Sequence, residues 1–236
     1  MMTLSIRKLI ISAVVAAAAL ALVFGAKKGT APELVPVSGS TMSLPKITDE
    51  AEIGLDEALR LRRSLRTFAP DAIDLKAAAA LLWAAHGVSA QGHLTVPSAG
   101  ALYPLEIYLV ADHIEGLHAG IYRYNYRDHA LEALLKGTVL KALASACFSQ
   151  NWVSRAAAAI IITAVYERTT RKYGSRGERY VHLEAGHAAQ NIYLKAAALG
   201  LGTTEVGAFD DNAVKRVLGL PPQVAPLAIM PVGKPN

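Results

Sequence analysis

Residues 172–211 read KYGSRGERYVHLEAGHAAQNIYLKAAALGLGTTEVGAFDD, and this stretch decides the fold. Within it Val181, Ala185, Ala188, Ile192, Ala196 and Leu199 recur at spacings of three and four. That period places them on one face of a helix. The helix is predicted to run from Glu178 to Leu199 and to stop at Gly200, a residue free to take the left-handed turn that closes a helix. GTTEVGAF leads out of it. A dinucleotide-binding loop needs a strand, then glycines, then a helix. Here the glycines follow a helix, so Gly200 and Gly202 read as caps, and no P-loop lysine follows.

Working outward, AAAAIIITAVY is a continuous apolar run that ends in β-branched residues, as in a strand buried on both faces. LEIYLVA alternates like a strand. GIYRYNYRDHALEALL reads as a hairpin turning around Asn125 to Asp128. APLAIMPVG is a final strand. Asp56 is the expected cap of a helix through Arg62, and Asp74 of a second helix that Gly87 ends. LKALASAC is helical. Asp211 or Asn212 is the expected cap of a short helix to Leu218. Helices and strands mix without strict βαβ alternation, which makes the fold class α+β.

The chain has 236 residues and a formal charge of +5. Arg7 and Lys8 precede an apolar run from Leu9 to Ala26, closed by Lys27 and Lys28. A basic start, an apolar centre and small residues at its end describe a signal peptide. The run of about 18 residues is also near the lower limit of a membrane-spanning helix. Both readings place the remainder outside the cytoplasm, periplasmic or secreted, or anchored to the inner membrane through residues 9–26. Residues 27–52 read as a flexible linker, and the globular domain as 53–236. Without residues 1–26 the charge falls by two, to +3, too small to indicate nucleic acid. Cys147 is the only cysteine, which excludes an internal disulfide, a cysteine-ligated iron–sulfur cluster and a thiolate zinc site.

Four stretches carry candidate chemistry. RRSLRTF supplies Arg62, Arg63, Ser64 and Arg66, forked donors and a hydroxyl suited to an anion with several oxygens. It is also what a solvated helix end looks like. PSAGALYP offers small residues that let backbone approach a flat ligand, or an ordinary turn. RKYGSRGERY sets Lys172 beside Tyr173 among arginines, either a proton-moving pair or a solvated basic loop. EVGAF could offer backbone donors. His182 and His187 are five apart on the helix, so they point away from each other and do not make a metal pair. With Glu184 they read as polar-face or interface residues.

Taken in order, RRSLRTF, PSAGALYPLEIYLV, the stretch 172–211 and LGLPPQVAPLAIMPVGKP resemble the nitroreductase family over residues 53–236, and within it the SagB/ThcOx-type dehydrogenases. The resemblance implies a central mixed sheet flanked by helices, here preceded by the N-terminal apolar helix. It implies an intertwined homodimer with two FMN molecules at the subunit interface. Arg62, Ser64 and Arg66 match positions that hold the FMN phosphate and ribityl chain, and Arg63 shares their motif. Lys234 resembles a basic residue that reaches the phosphate. Ser98, Ala99 and Gly100 match a loop lining the flavin, possibly from the other subunit. Val206 and Gly207 match backbone amides facing the flavin N5 edge. Gln190 and Asn191 match a dimer-interface pair, and Lys172 and Tyr173 a catalytic pair that removes a proton. The implied activity is an FMN-dependent dehydrogenase or oxidase of a small molecule or peptide. An NAD(P)H-dependent nitro or quinone reductase and a non-catalytic flavin-binding or envelope protein are the alternatives. No metal is expected.

Overall fold

The computed structural model describes residues 35–36, 40–47 and 53–236. The apolar run of residues 9–26, with the signal or anchor read from it, lies outside them. Among the described residues no helix is long and apolar enough to cross a membrane.

Eight strands form one sheet among the described residues. They are β1 (Val35–Pro36), β2 (Thr41–Ser43), β3 (Leu105–Ala111), β4 (Gly120–Asn125), β5 (Ala130–Lys136), β6 (Ala158–Ala164), β7 (Gly202–Thr203) and β8 (Ala225–Gly233). The order is β1-β5-β4-β3-β6-β8-β7, with β2 also on β5. Every pair of these strands is antiparallel. Among the described residues parallel pairing enters only at the isolated bridges Ser64–Thr203 and Ile73–Ile114, so the mixed character of the sheet is confined there to single residues.

The stretch expected as a linker carries β1 and β2, and Leu44 just beyond them is buried in the core. The folded domain therefore begins before Ile53. Pairing with β5 holds these segments; their short length and their Ser and Pro content hid them.

Among the described residues six helices flank the sheet: α1 (Leu55–Leu61), α2 (Leu75–His86), α3 (Leu140–Ala146), α4 (Glu167–Tyr173), α5 (Arg176–Ala198) and α6 (Asp211–Leu218). The expected caps are partly shifted. Asp74 caps α2, accepting from the Ala77 amide at 2.6 Å. α1 starts one residue before Asp56, after Gly54, and Asp210 rather than Asp211 caps α6. In the two shifted helices a first-turn acid, Asp56 in α1 and Asp211 in α6, still faces the positive end of the helix dipole.

β6 explains the layering. All seven of its residues are buried. Ile160 and Ile162 join the cluster formed with α2 and α5. Ala159 and Ile161 join the cluster formed with α3 and α6. Side chains alternate across a strand, so an uninterrupted apolar run covers both faces. Each isoleucine contributes about 2 kcal/mol by its burial. Cys147 belongs to the second cluster, and burial pushes its thiol up to about 11, as for a packing residue.

Candidate functional site

α1 ends because Arg62 turns extended, at φ −54 and ψ 119. The chain then runs along β7 and the C-terminal segment. The Leu65 amide donates to the Thr203 carbonyl at 2.9 Å and the Ala69 amide to the Lys234 carbonyl at 3.0 Å. Buried Phe68 pins the segment. Tyr193 of α5 is the meeting point. The Arg62 guanidinium lies 5.3 Å from its ring centroid, and its hydroxyl is 3.0 Å from Ser64 Oγ. The same hydroxyl accepts from the Glu205 amide at 2.7 Å.

Arg62, Arg63 and Tyr193 line a cavity of about 530 Å³ floored by Gly202 and Thr203. Arg66 goes elsewhere, 5.8 Å over Trp152. None of these three arginines has a carboxylate partner among the described residues. Their donors are free for an anion. Lys234 is exposed and holds this segment through its backbone.

A second cluster forms around the loop Ser98–Ala99–Gly100. Gly100 has φ +64, and a Cβ built there would sit 2.7 Å from Tyr173 Oη and 3.0 Å from Lys172 Nζ. The side-chain ends of Lys172 and Tyr173 therefore abut the small-residue loop, and only glycine leaves them room where they stand. The pair ends α4 rather than lying in a loop, because Gly174 (φ +57) breaks the chain between α4 and α5. The Ser98 hydroxyl donates to Glu184 Oε2 at 2.6 Å and accepts from the Tyr103 amide at 2.9 Å.

Glu184 corrects the sequence reading. It is buried, not on a polar face. Burial raises its carboxyl to about 7, opposed by the Ser98 hydrogen bond. The signal was present: Glu184 lies three residues after Val181 and four before Ala188, on the apolar stripe of α5. Tyr193 was likewise missed, since a tyrosine on an amphipathic helix reads as packing.

Two further positions differ from expectation. Val206 is buried, and its amide donates to the Ile229 carbonyl at 2.8 Å while its carbonyl accepts from Ile229 at 3.0 Å. That amide is committed to the fold and cannot face a ligand. Its neighbour Gly207 is exposed. Asn191 donates within the chain to the Ala84 and Thr95 carbonyls, each at 3.1 Å, tying α5 to α2. Gln190 beside it is exposed. His182 pairs with the Tyr166 hydroxyl. Among the described residues no group of His, Cys, Asp and Glu could hold a metal ion.

Comparison with known proteins identifies the family and the fold. A family model described as the nitroreductase family matches residues 59–234. The nitroreductase-family protein MJ1384 of Methanocaldococcus jannaschii is 45% identical over 197 residues, 83% of this chain and 98% of that protein. The trifolitoxin-processing protein TfxB of Rhizobium leguminosarum is 38% identical over 132 residues, 54% of this chain but 35% of TfxB. A nitroreductase-like crystal structure from Anabaena variabilis superposes with a TM-score of 0.75 at 28% identity, over 84% of this chain and 42% of that one.

Proposed function

The chain belongs to the nitroreductase family of oxidoreductases, and from that premise we propose that it is an FMN-dependent enzyme moving a hydride between an organic substrate and the flavin. One observation carries the reading: Arg62 and Ser64 converge on Tyr193 beside a cavity of about 530 Å³, with no carboxylate among the described residues to neutralise the guanidiniums. Forked donors with a hydroxyl fit a phosphate monoester. FMN, when bound, supplies hydride acceptance and return.

The chain's own residues do the rest. Arg62, Arg63 and Ser64 hold the phosphate end, with Arg66 and Lys234 lending positive charge nearby. Ser98, Ala99 and Gly100 give a loop with little side-chain bulk for a flat ring, and Gly207 an exposed amide at its edge. Lys172 Nζ and Tyr173 Oη, both against Gly100, hold or remove the substrate proton as the hydride leaves. The substrate is a small molecule or a peptide. Similarity to TfxB supports the peptide-modifying, SagB-type branch.

A homodimer completes the site. Glu184 and Tyr193 are nine residues apart on α5, which sets the two clusters on opposite sides of one helix and about 13 Å apart along it. One protomer's arginines can then meet its partner's Ser98 loop. Exposed Leu55, Leu59 and Leu61 of α1 and Leu183 of α5 give an apolar surface for that contact. Export or anchoring through residues 9–26 remains part of the proposal; cell fractionation with an antibody to the domain checks it, and a cytosolic protein would overturn it.

The deciding experiment is an absorbance spectrum of the purified full chain, with FMN added if it emerges colourless. Flavin bands that persist through gel filtration support the reading. Arg62→Ala with Arg66→Ala is expected to lose them. Flavin retained undiminished in that folded double variant would disprove the phosphate site.

A further inference from the structure

The sheet divides at one end. β3 and β4 pair from Ala111–Gly120 to Tyr108–Arg123, and the pairing stops there. Both strands continue, β3 back to Leu105 on β6 and β4 on to Asn125 on β5. Between them lies a cavity of about 390 Å³. Leu105 and Ile107 form one wall, Tyr124 and Tyr126 the other, and His86, the last residue of α2, lies buried at its back.

His86 is the informative residue. It is 1% exposed, yet neither ring nitrogen has a hydrogen-bond partner among the described residues. Its ring stands edge-on to Tyr126 at 5.1 Å and to Tyr103 at 6.4 Å between centroids. Burial, reinforced by Arg168, pushes its pKa down to about 4. The imidazole is therefore neutral and offers one donor and one acceptor. A buried polar group without a partner is costly, so this one is suited to a ligand's polar group.

The mouth of the cleft carries charge. Arg123 pairs with Glu132 at 2.6 Å, and Arg168 pairs with Glu106. Arg127 has no carboxylate partner among the described residues and lies over the Tyr126 ring, 5.0 Å from its centroid. The lining thus has one guanidinium in surplus.

We propose that this cleft binds a small organic carboxylate: its acid group meets Arg127, its apolar body lies against Tyr103 and Tyr126, and a hydrogen-bonding group at its far end reaches His86. A single surplus guanidinium beside Glu106 and Glu132 suits one negative charge; a phosphate dianion would meet both carboxylates with too little to offset them. A purely apolar ligand would leave the imidazole unpartnered. The cleft needs neither the flavin nor a second protomer, so it stands apart from the function proposed above.

The probe is 4-hydroxybenzoate, with phenol as the uncharged control, titrated into the full chain while the His86 ring signals are followed by NMR. Saturable binding is expected, on the order of 1 mM for so small a ligand, with the His86 signals moving. Phenol is expected to bind about tenfold more weakly, and Arg127→Ala to lose about tenfold in affinity for the acid. His86→Phe should abolish saturable binding; if that variant does not fold, the surface variant Arg127→Ala decides alone. Three results overturn the proposal: no movement of His86 at saturating probe, equal affinity for phenol, or equal affinity in Arg127→Ala.

Discussion

The Ser98 hydroxyl donates to Glu184 Oε2 at 2.6 Å, and the other carboxyl oxygen, Oε1, has no partner among the described residues. A buried carboxyl so placed resists ionisation. Its folded-state pKa is raised by burial from 4.5 to about 7. Between those values the folded protein holds a proton that the unfolded chain has released. Stability from this group is therefore fully present below about 4.5, declines as pH rises, and is lost above about 7. The full span is about 3 kcal/mol. Glu184→Gln keeps an acceptor for Ser98 and does not titrate. The wild-type melting temperature should accordingly fall relative to that of Glu184→Gln between pH 5 and pH 8. Parallel melting curves for the two proteins across that range would refute the raised carboxyl.

Asn191 ties two helices together. Its amide donates to the Ala84 carbonyl of α2 and to the Thr95 carbonyl in the loop before the small-residue turn. Asn191→Leu fills similar volume and leaves both carbonyls without this donor. A loss of about 2 kcal/mol is expected, since a partly buried acceptor loses its partner. Urea unfolding measures it, with a lower midpoint and an unchanged slope. A loss below about 0.5 kcal/mol, the size of an ordinary surface substitution, would mean that water replaces the amide.

Tyr193 tests the anion cluster without removing a charge. Its hydroxyl meets Ser64 Oγ at 3.0 Å and the Glu205 amide at 2.7 Å, while its ring lies under Arg62. Tyr193→Phe keeps the ring and so the cation–π contact. Ser64 loses its anchor. FMN affinity, followed by quenching of flavin fluorescence on binding, should fall about tenfold, one or two hydrogen bonds' worth. Tyr193→Ala, which also frees Arg62, should fall further. Equal affinity in wild type and Tyr193→Phe would leave Ser64 outside the site.

Most of the fold was legible because its signals were periodic. The spacing from Val181 to Leu199 fixed α5 within two residues at its start and one at its end, and the apolar run at Ala158–Ala164 fixed a strand buried on both faces. What escaped notice was set by tertiary partners. β1 and β2 have little pattern of their own and exist because β5 offers an edge. Lys172 and Tyr173 read as a loop because a helix of seven residues ending at Gly174 is too short to show a period. In the site, the residue types in RRSLRTF pointed to an anion, but Tyr193, which gathers Arg62 and Ser64, lies about 130 residues away in the chain. Val206 looked like a ligand-facing amide because hydrogen-bond partners such as Ile229 are not written in local sequence.

Gly100 offers the sharpest test of the Lys–Tyr pair, because one added methyl group would collide with both functional atoms. A Cβ at this position would stand 2.7 Å from Tyr173 Oη and 3.0 Å from Lys172 Nζ, and the backbone is already left-handed at φ +64. Gly100→Ala therefore costs about 1 kcal/mol in backbone strain and pushes the pair off the loop. Both side chains are flexible at their ends, so the domain should still fold, with a melting temperature a few degrees lower. If the pair handles the substrate proton, turnover should fall at least as far as in Tyr173→Phe, on the order of a hundredfold. Gly100 also belongs to the loop proposed to line the ring, so flavin content is expected to fall in part, and turnover is compared per bound flavin. Lys172→Met in the Gly100→Ala background should then add little, since groups acting as a unit are not additive. Full turnover in a folded, flavin-loaded Gly100→Ala protein would remove Lys172 and Tyr173 from the chemistry and leave them as neighbours of the loop.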